Sequence, residues 1–235
     1  MKTILLQLKG LLIFFLTFNS IAQSDYSWTL STLNSTVFVG LNAPTTQFGD
    51  VDGDGDLDLI TMGAESSVQK IYLYKNNGSG VFTRTEITAV TALKNQKMRL
   101  AHLDTDGKID MLLLGLDITT NAPVVKIFKN TGSGQHFSNT STFYAPNLVQ
   151  IKEGDAQLGD IDNDGDIDIV LSGADASNNR VFQIMKNTGT SFSEFTYSTG
   201  VQVTPLNMCG IKLFDFDNDG DLDVLIGGRL TPTSL

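Results

Sequence analysis

Apolar residues in this chain come in short bursts. They alternate with polar ones, as in Leu57-Asp58-Leu59-Ile60-Thr61, or run together briefly, as in Met111-Leu112-Leu113-Leu114. Both patterns describe β-strands, half-buried in the first case and covered on both faces in the second. No stretch sustains the periodicity of an amphipathic helix. The bursts group into units. In the second unit a strand A (97–101) leads into an acidic loop and a strand B (111–114) leaves it. A strand C follows in the first three units (71–74, 124–128 and 182–185) and ends in a turn rich in Asn and Gly. A strand D then begins at Phe82, Phe137 or Phe192 and extends to 87, 143 or 197.

The acidic loop is the fixed point of each unit. Asp50-Val51-Asp52-Gly53-Asp54-Gly55-Asp56-Leu57-Asp58 returns as Asp160-Ile161-Asp162-Asn163-Asp164-Gly165-Asp166-Ile167-Asp168 and as Asp215-Phe216-Asp217-Asn218-Asp219-Gly220-Asp221-Leu222-Asp223. A fourth copy, His102-Leu103-Asp104-Thr105-Asp106-Gly107-Lys108-Ile109-Asp110, has His102 at position 1 and Lys108 at position 7. Acids otherwise hold positions 1, 3, 5 and 9, Gly holds 6, and apolar residues hold 2, 8 and 10.

Calcium accounts for this spacing, because it takes about six to eight hard oxygen ligands at roughly 2.3–2.6 Å. Carboxylates at 1, 3 and 5 turn inward on a curling loop, and Gly at 6 supplies the positive φ of a tight turn. The carbonyl of residue 7 then faces the ion, which explains why Lys108 is tolerated there, and the acid at 9 closes the cage. An EF-hand also begins D-x-D-x-D-G but needs a bidentate Glu at position 12. Here that position holds Thr61, Leu113, Leu171 and Ile226, and strands follow the loops, so an EF-hand is excluded. A merely solvated acidic loop would require neither the Gly nor the interleaved apolar residues, which fasten the loop to a core.

From Asp52 to Asp104, Asp162 and Asp217 the steps are 52, 58 and 55 residues. The tetrapeptides Lys75-Asn76-Asn77-Gly78, Lys129-Asn130-Thr131-Gly132 and Lys186-Asn187-Thr188-Gly189 follow Asp52, Asp104 and Asp162 by 23, 25 and 24 residues. A fixed period of this size signals a repeat architecture. Four-stranded units repeated radially are the blades of a β-propeller. The expected fold is therefore all-β, with about three and a half blades. Residues 26–30 supply an isolated strand D, and the fourth unit gives a strand A (211–214) and a strand B (223–227) before the sequence reaches Leu235. The arithmetic suits part of a larger ring better than a closed one.

The first residues read differently. Lys2 and Lys9 form a basic n-region, residues 10–18 an apolar h-region, and Ser20 and Ala22 the small residues of a cleavage site. Residues 1–22 are expected to be a signal peptide, leaving residues 23–235 as the propeller and no membrane span in the mature chain. No Cys follows the site, so a lipid anchor is not expected. Of the 26 acids, 18 lie in the four loops, so the net charge of −10 is concentrated there. The first, third and fourth loops have no nearby Lys or Arg in sequence to relieve them, which makes a bound divalent cation the expected relief. No basic patch exists to meet phosphates, so nucleic acid is not an expected partner. Cys209 is the one cysteine, which excludes an internal disulfide and suits a small buried apolar residue.

These loops, with the flanking Phe48-Gly49, resemble the FG-GAP repeat, also called the VCBS-type repeat, of integrin α-subunit propellers and many exported bacterial proteins. The Phe-Gly pair becomes Leu100-Ala101, Leu158-Gly159 and Leu213-Phe214 in later units. The resemblance implies calcium between strands A and B, commonly in a seven-bladed ring. It implies side-chain ligands Asp50, Asp52, Asp54 and Asp58, then Asp160, Asp162, Asp164 and Asp168, then Asp215, Asp217, Asp219 and Asp223. Asp56, Asp166 and Asp221 would contribute carbonyls. In the second loop Asp104, Asp106 and Asp110 remain, and His102 weakens the site. The expected function is non-catalytic binding or adhesion, toward a glycan or protein, in a secreted or cell-surface protein. The alternatives are the propeller portion of a polysaccharide-degrading enzyme and a calcium-stiffened spacer. His102 and His136 read as structural residues, and no convergent acid, base and nucleophile stand out.

Overall fold

Each acidic loop turns the chain back on itself, so the strands on either side pair as a hairpin. The computed structural model describes residues 2–8, 12–18, 37–139, 145, 147–195 and 205–229. Its regular elements there are all β-strands. β1 (Lys2–Leu8) and β2 (Leu12–Phe18) pair with each other as a separate hairpin within the segment read as a signal peptide. The remaining strands form four antiparallel sheets, each a propeller blade.

The first blade orders β3 (Asn42–Gly49), β4 (Asp58–Glu65), β5 (Val68–Asn76) and β6 (Phe82–Glu86). The second holds β7 (Leu93–Ala101), β8 (Asp110–Asp117) and β9 (Pro123–Phe128). The third orders β10 (Lys152–Gly159), β11 (Asp168–Ala174), β12 (Arg180–Asn187) and β13 (Phe192–Glu194). The fourth pairs β14 (Asn207–Phe214) with β15 (Asp223–Arg229). The first strands pack side by side, β3 against β7, β7 against β10 and β10 against β14, as the inner strands of successive blades do.

The strand D expected from Phe137 is the main departure. Phe137 is buried in an irregular segment, not in a strand, because His136 before it takes a left-handed φ of 65°. Residues 140–144 and 196–197 of the expected D strands, and residues 26–30, lie outside the described residues.

Side chains alternate across each strand, and the two faces serve two different interfaces. On β8, Met111 and Leu113 join Ile60, Met62, Ile71 and Leu73 of the first blade. Leu112 and Leu114 point the other way and join Ala156, Ile169, Leu171 and Met185 of the third. On β11, Val170 faces away from that core toward Ile211 of the fourth. The unbroken apolar run at 111–114 thus reflects a strand sandwiched between two neighbours. The far face of the first blade is covered by Phe38, which stacks on Tyr74 at 4.8 Å between ring centroids.

One irregularity repeats in all four hairpins of strands A and B. A β-bulge interrupts strand A between Asn42 and Thr45, Lys94 and Lys97, Lys152 and Asp155, and Asn207 and Gly210. Within it Ala43, Asn95, Glu153 and Met208 adopt φ near 50° (47°, 49°, 51° and 47°). The bulge pushes the backbone of strand A against strand B, where Gly63, Gly115 and Gly173 leave it room. A Cβ on Gly115 would stand 2.7 Å from the Lys94 carbonyl oxygen. Gly115→Ala is therefore expected to cost about 1–3 kcal/mol through overpacking against backbone. Gly40→Ala, where a Cβ meets nothing within 4 Å, should shift stability by less than about 0.5 kcal/mol. Urea denaturation midpoints of the two variants check the contrast.

Candidate metal centre

The loops wrap around the carboxylate at position 1. Left-handed residues at positions 4 and 6 turn successive N–H groups inward: Gly53 and Gly55 (φ 79° and 91°), Asn163 and Gly165 (56° and 93°), Asn218 and Gly220 (61° and 96°). Asp50 accepts from the N–H groups of Gly53, Asp54 and Gly55 at 2.8, 3.1 and 2.9 Å. Asp160 accepts from Asp164 and Gly165, and Asp215 from Asp219 and Gly220. The second loop has no such carboxylate. His102 stands at position 1, Thr105 replaces the Gly or Asn at position 4, and Gly107 alone keeps the left-handed turn there.

Position 9 is the buried anchor. Asp58, Asp110 and Asp168 are 0, 0 and 1% exposed. Each spends one oxygen on the loop and one on the turn after strand C. Asp58 accepts from Val51 N–H at 3.0 Å and Asn76 N–H at 2.8 Å. Asp110 accepts from Leu103 and Asn130 at 3.1 and 2.8 Å, and Asp168 from Ile161 and Asn187 at 2.9 and 2.7 Å. Burial pushes all three carboxyls above the usual range, Asp110 to about 6, against the pull of those N–H donors. In the fourth loop Asp223 keeps the loop bond, from Phe216 N–H at 2.8 Å, and is exposed.

Positions 1, 3 and 9 converge. One carboxylate oxygen from each of Asp50, Asp52 and Asp58 lies within 4.8 Å of the others, and so do those of Asp160, Asp162 and Asp168 and of Asp215, Asp217 and Asp223. These trios can hold a metal ion. Asp52 Oδ1 and Asp162 Oδ1 support that reading, since both are buried without a hydrogen-bond partner. A buried bare carboxylate oxygen is costly, and a cation among three converging carboxylates would satisfy it. Position 5 sits outside the trios. Asp54, Asp164, Asp219 and Asp106 accept the N–H of position 7 at 3.0, 3.0, 2.9 and 2.9 Å, which fixes the backbone of Asp56, Asp166, Asp221 and Lys108. The second loop brings no trio together from His102, Asp104, Asp106 and Asp110.

The structure corrects one expectation about charge. The first three loops are not without cations. The lysine that ends strand C folds back over its own blade's loop: Lys75 Nζ lies 2.5 Å from Asp52, Lys129 Nζ 2.8 Å from Asp104, and Lys186 pairs with Asp162 and, at 2.9 Å, with Asp164. The bond to Lys75 holds the Asp52 carboxyl below its usual range. Lys108 adds a second ammonium to the second loop, 2.9 Å from Asp106. The β-hairpin of strands B and C brings together residues more than twenty positions apart, a proximity that linear spacing conceals.

The asparagines beside Lys129 and Lys186 tie blades together. Asn130 Nδ2 donates to the carbonyl of Val51, in the preceding blade's loop, at 2.7 Å. Asn187 Nδ2 donates likewise to Leu103 at 2.9 Å, and also to Ile167 of its own loop at 3.0 Å. Their Oδ1 atoms accept from Gly132 and Gly189 N–H, holding the turn. Apolar position 8 reaches back the same way, with the tip of Ile109 over Gly49 and that of Leu222 over Gly159, where a Cβ would crowd it. Leu57, at position 8 of the first loop, and Phe216, at position 2 of the fourth, are instead 59 and 74% exposed. His136 is buried with Nδ1 3.2 Å from Asn130 Oδ1, a structural place, and Cys209 is buried with its thiol donating to the Ser172 carbonyl.

The family model described as FG-GAP-like repeat matches three overlapping windows, residues 50–113, 102–171 and 160–226. Each window begins at one acidic loop and runs into strand B of the next. No curated protein matches the chain.

Removing a side chain that satisfies carbonyls of two blades should cost more than removing one that serves a single blade. Asn187→Ala is expected to destabilise by about 2–4 kcal/mol. Asn76→Ala should cost about 1 kcal/mol, since Asn76 Nδ2 reaches its own blade's Leu57 carbonyl at 3.3 Å. Chemical denaturation of both variants gives the comparison.

Proposed function

The chain belongs to the FG-GAP-like repeat family, and from that premise we propose that it is an exported, calcium-stabilised propeller module that binds an extracellular glycan or protein without catalysis. The observation that carries the reading is the pair of buried, unpartnered oxygens on Asp52 and Asp162 at the edge of their Asp trios. All-oxygen, carboxylate-rich sites suit a hard cation. Asp50, Asp52 and Asp58, Asp160, Asp162 and Asp168, and Asp215, Asp217 and Asp223 would hold it. Bound there, calcium would supply the positive charge that lets converging carboxylates stay ionised.

The non-catalytic part of the reading rests on how the acids are used. Asp58, Asp110 and Asp168 are committed to backbone N–H groups, and Asp52, Asp104 and Asp162 to lysines. His136 is held by Asn130. These groups build the blades, which leaves ligand recognition to the loops and exposed rims.

Extracellular calcium modules bind with dissociation constants on the order of 10⁻⁴–10⁻³ M. At a hundredfold excess over the dissociation constant, one site adds about 2.7 kcal/mol of stability. Chelation should therefore lower the melting temperature sharply, and a calorimetric titration should count three sites. A melting temperature indifferent to chelator, or four equal sites, contradicts the calcium reading. For recognition, a glycan array with the calcium-loaded protein should retain intact glycans. Shortened glycans on the array would point to the degrading enzyme instead.

A further inference from the structure

The four loops share a plan but differ in how their charge is met. In the first and third, five carboxylates face one ammonium, from Lys75 or Lys186. In the second, three carboxylates face two, from Lys108 and Lys129. The hydrogen bonding differs to match. Asp52 and Asp162 each give one oxygen to a lysine and leave the other buried and bare. Asp104, at the same position, has both oxygens engaged: Oδ1 accepts from Asp106 N–H at 2.9 Å and Oδ2 meets Lys129. The second loop also lacks the position-1 carboxylate that completes a trio.

We propose that the lysines ending strand C are built-in counter-cations of the acidic loops, exchangeable for calcium in the first and third loops and permanent in the second. Lys75 and Lys186 then set the calcium affinity of their sites, because the ion must share or take over the oxygens of Asp52 and of Asp162 and Asp164. Exchange is sterically simple. These two side chains are 39 and 33% exposed, so their ammonium groups can swing into water while their stems stay on the blade. In the second loop, calcium would have to replace two ammonium groups while gaining one carboxylate fewer. This inference rests on the calcium reading above, and its test separates the two.

The test uses the full chain and calcium chloride as titrant, with Lys75→Met, Lys186→Met and Lys129→Met. Methionine keeps most of the stem's packing and removes the charge. A unit charge about 5 Å from a divalent ion, even at the dielectric of water, is worth roughly a tenfold change in binding. Lys75→Met and Lys186→Met should each tighten one site about tenfold. Each should lower the melting temperature in chelator, and the loss should vanish in saturating calcium. Lys129→Met should lower it equally in both conditions and leave three sites. Unchanged affinity in Lys75→Met and Lys186→Met, with wild type still binding three ions, overturns the exchange and leaves the calcium reading standing. A wild type that binds no calcium removes both. A fourth site appearing in Lys129→Met overturns the permanent closure of the second loop. A Lys75→Met or Lys186→Met chain that stays unfolded at saturating calcium shows that the lysine is more than a counter-cation and also counts against the proposal.

Discussion

A carboxylate placed in the protein interior, with its charge met by two backbone N–H groups, is the constraint on which each of the first three blades depends. Asp58, Asp110 and Asp168 open strand B, and each clasps the second residue of the loop before it and the Asn of the turn two strands later. An isolated buried charge is costly, and breaking such a set of bonds leaves it uncompensated. Loop, strand B and the strand C turn must therefore keep one relative position. That requirement explains why the Lys-Asn tetrapeptide keeps its distance from the loop while the segments between units vary in length.

The same turn passes the constraint to the neighbouring blade. Once Asp110 has fixed the backbone of Asn130, the Asn130 side chain reaches the Val51 carbonyl of the loop before it, and Asn187 reaches Leu103 in the same way. The partner at position 8, Ile109 or Leu222, rests its tip on Gly49 or Gly159 at the end of the preceding strand A. Each acidic loop thus belongs to two blades. A cation bound in one loop would steady the hairpin that carries it and the junction with the next blade, so metal and fold are coupled through hydrogen bonds to backbone rather than through a larger apolar core.

Much of this was legible in the sequence because its causes are local. The loop spacing, the glycine at position 6 and the alternation of strands B and C each follow from residues close together in the chain. The all-β blade architecture followed from their repetition. What escaped depends on hairpin register. The lysines sit 23 to 25 residues beyond position 3 and meet it only when strands B and C pair, a proximity absent from the local sequence of the loops. Gly63, Gly115 and Gly173 lie within apolar runs, and their role appears only opposite a bulge formed by Ala43, Asn95 and Glu153, residues with no bulge signature of their own. The expected fourth strand of the second blade was placed from Phe137 by analogy with Phe82 and Phe192. The left-handed His136 breaks that analogy.

The central claim is that the Asp trios are cation sites, and that lysine otherwise holds the charge of the first and third loops. Diffraction from calcium-grown crystals, with anomalous differences collected at long wavelength, tests it most directly. The account predicts anomalous peaks among Asp50, Asp52 and Asp58, among Asp160, Asp162 and Asp168, and among Asp215, Asp217 and Asp223, with Lys75 and Lys186 drawn back from their carboxylates and Lys129 still on Asp104. Trios without peaks, or a peak of equal height in the second loop with Lys129 displaced, would contradict it.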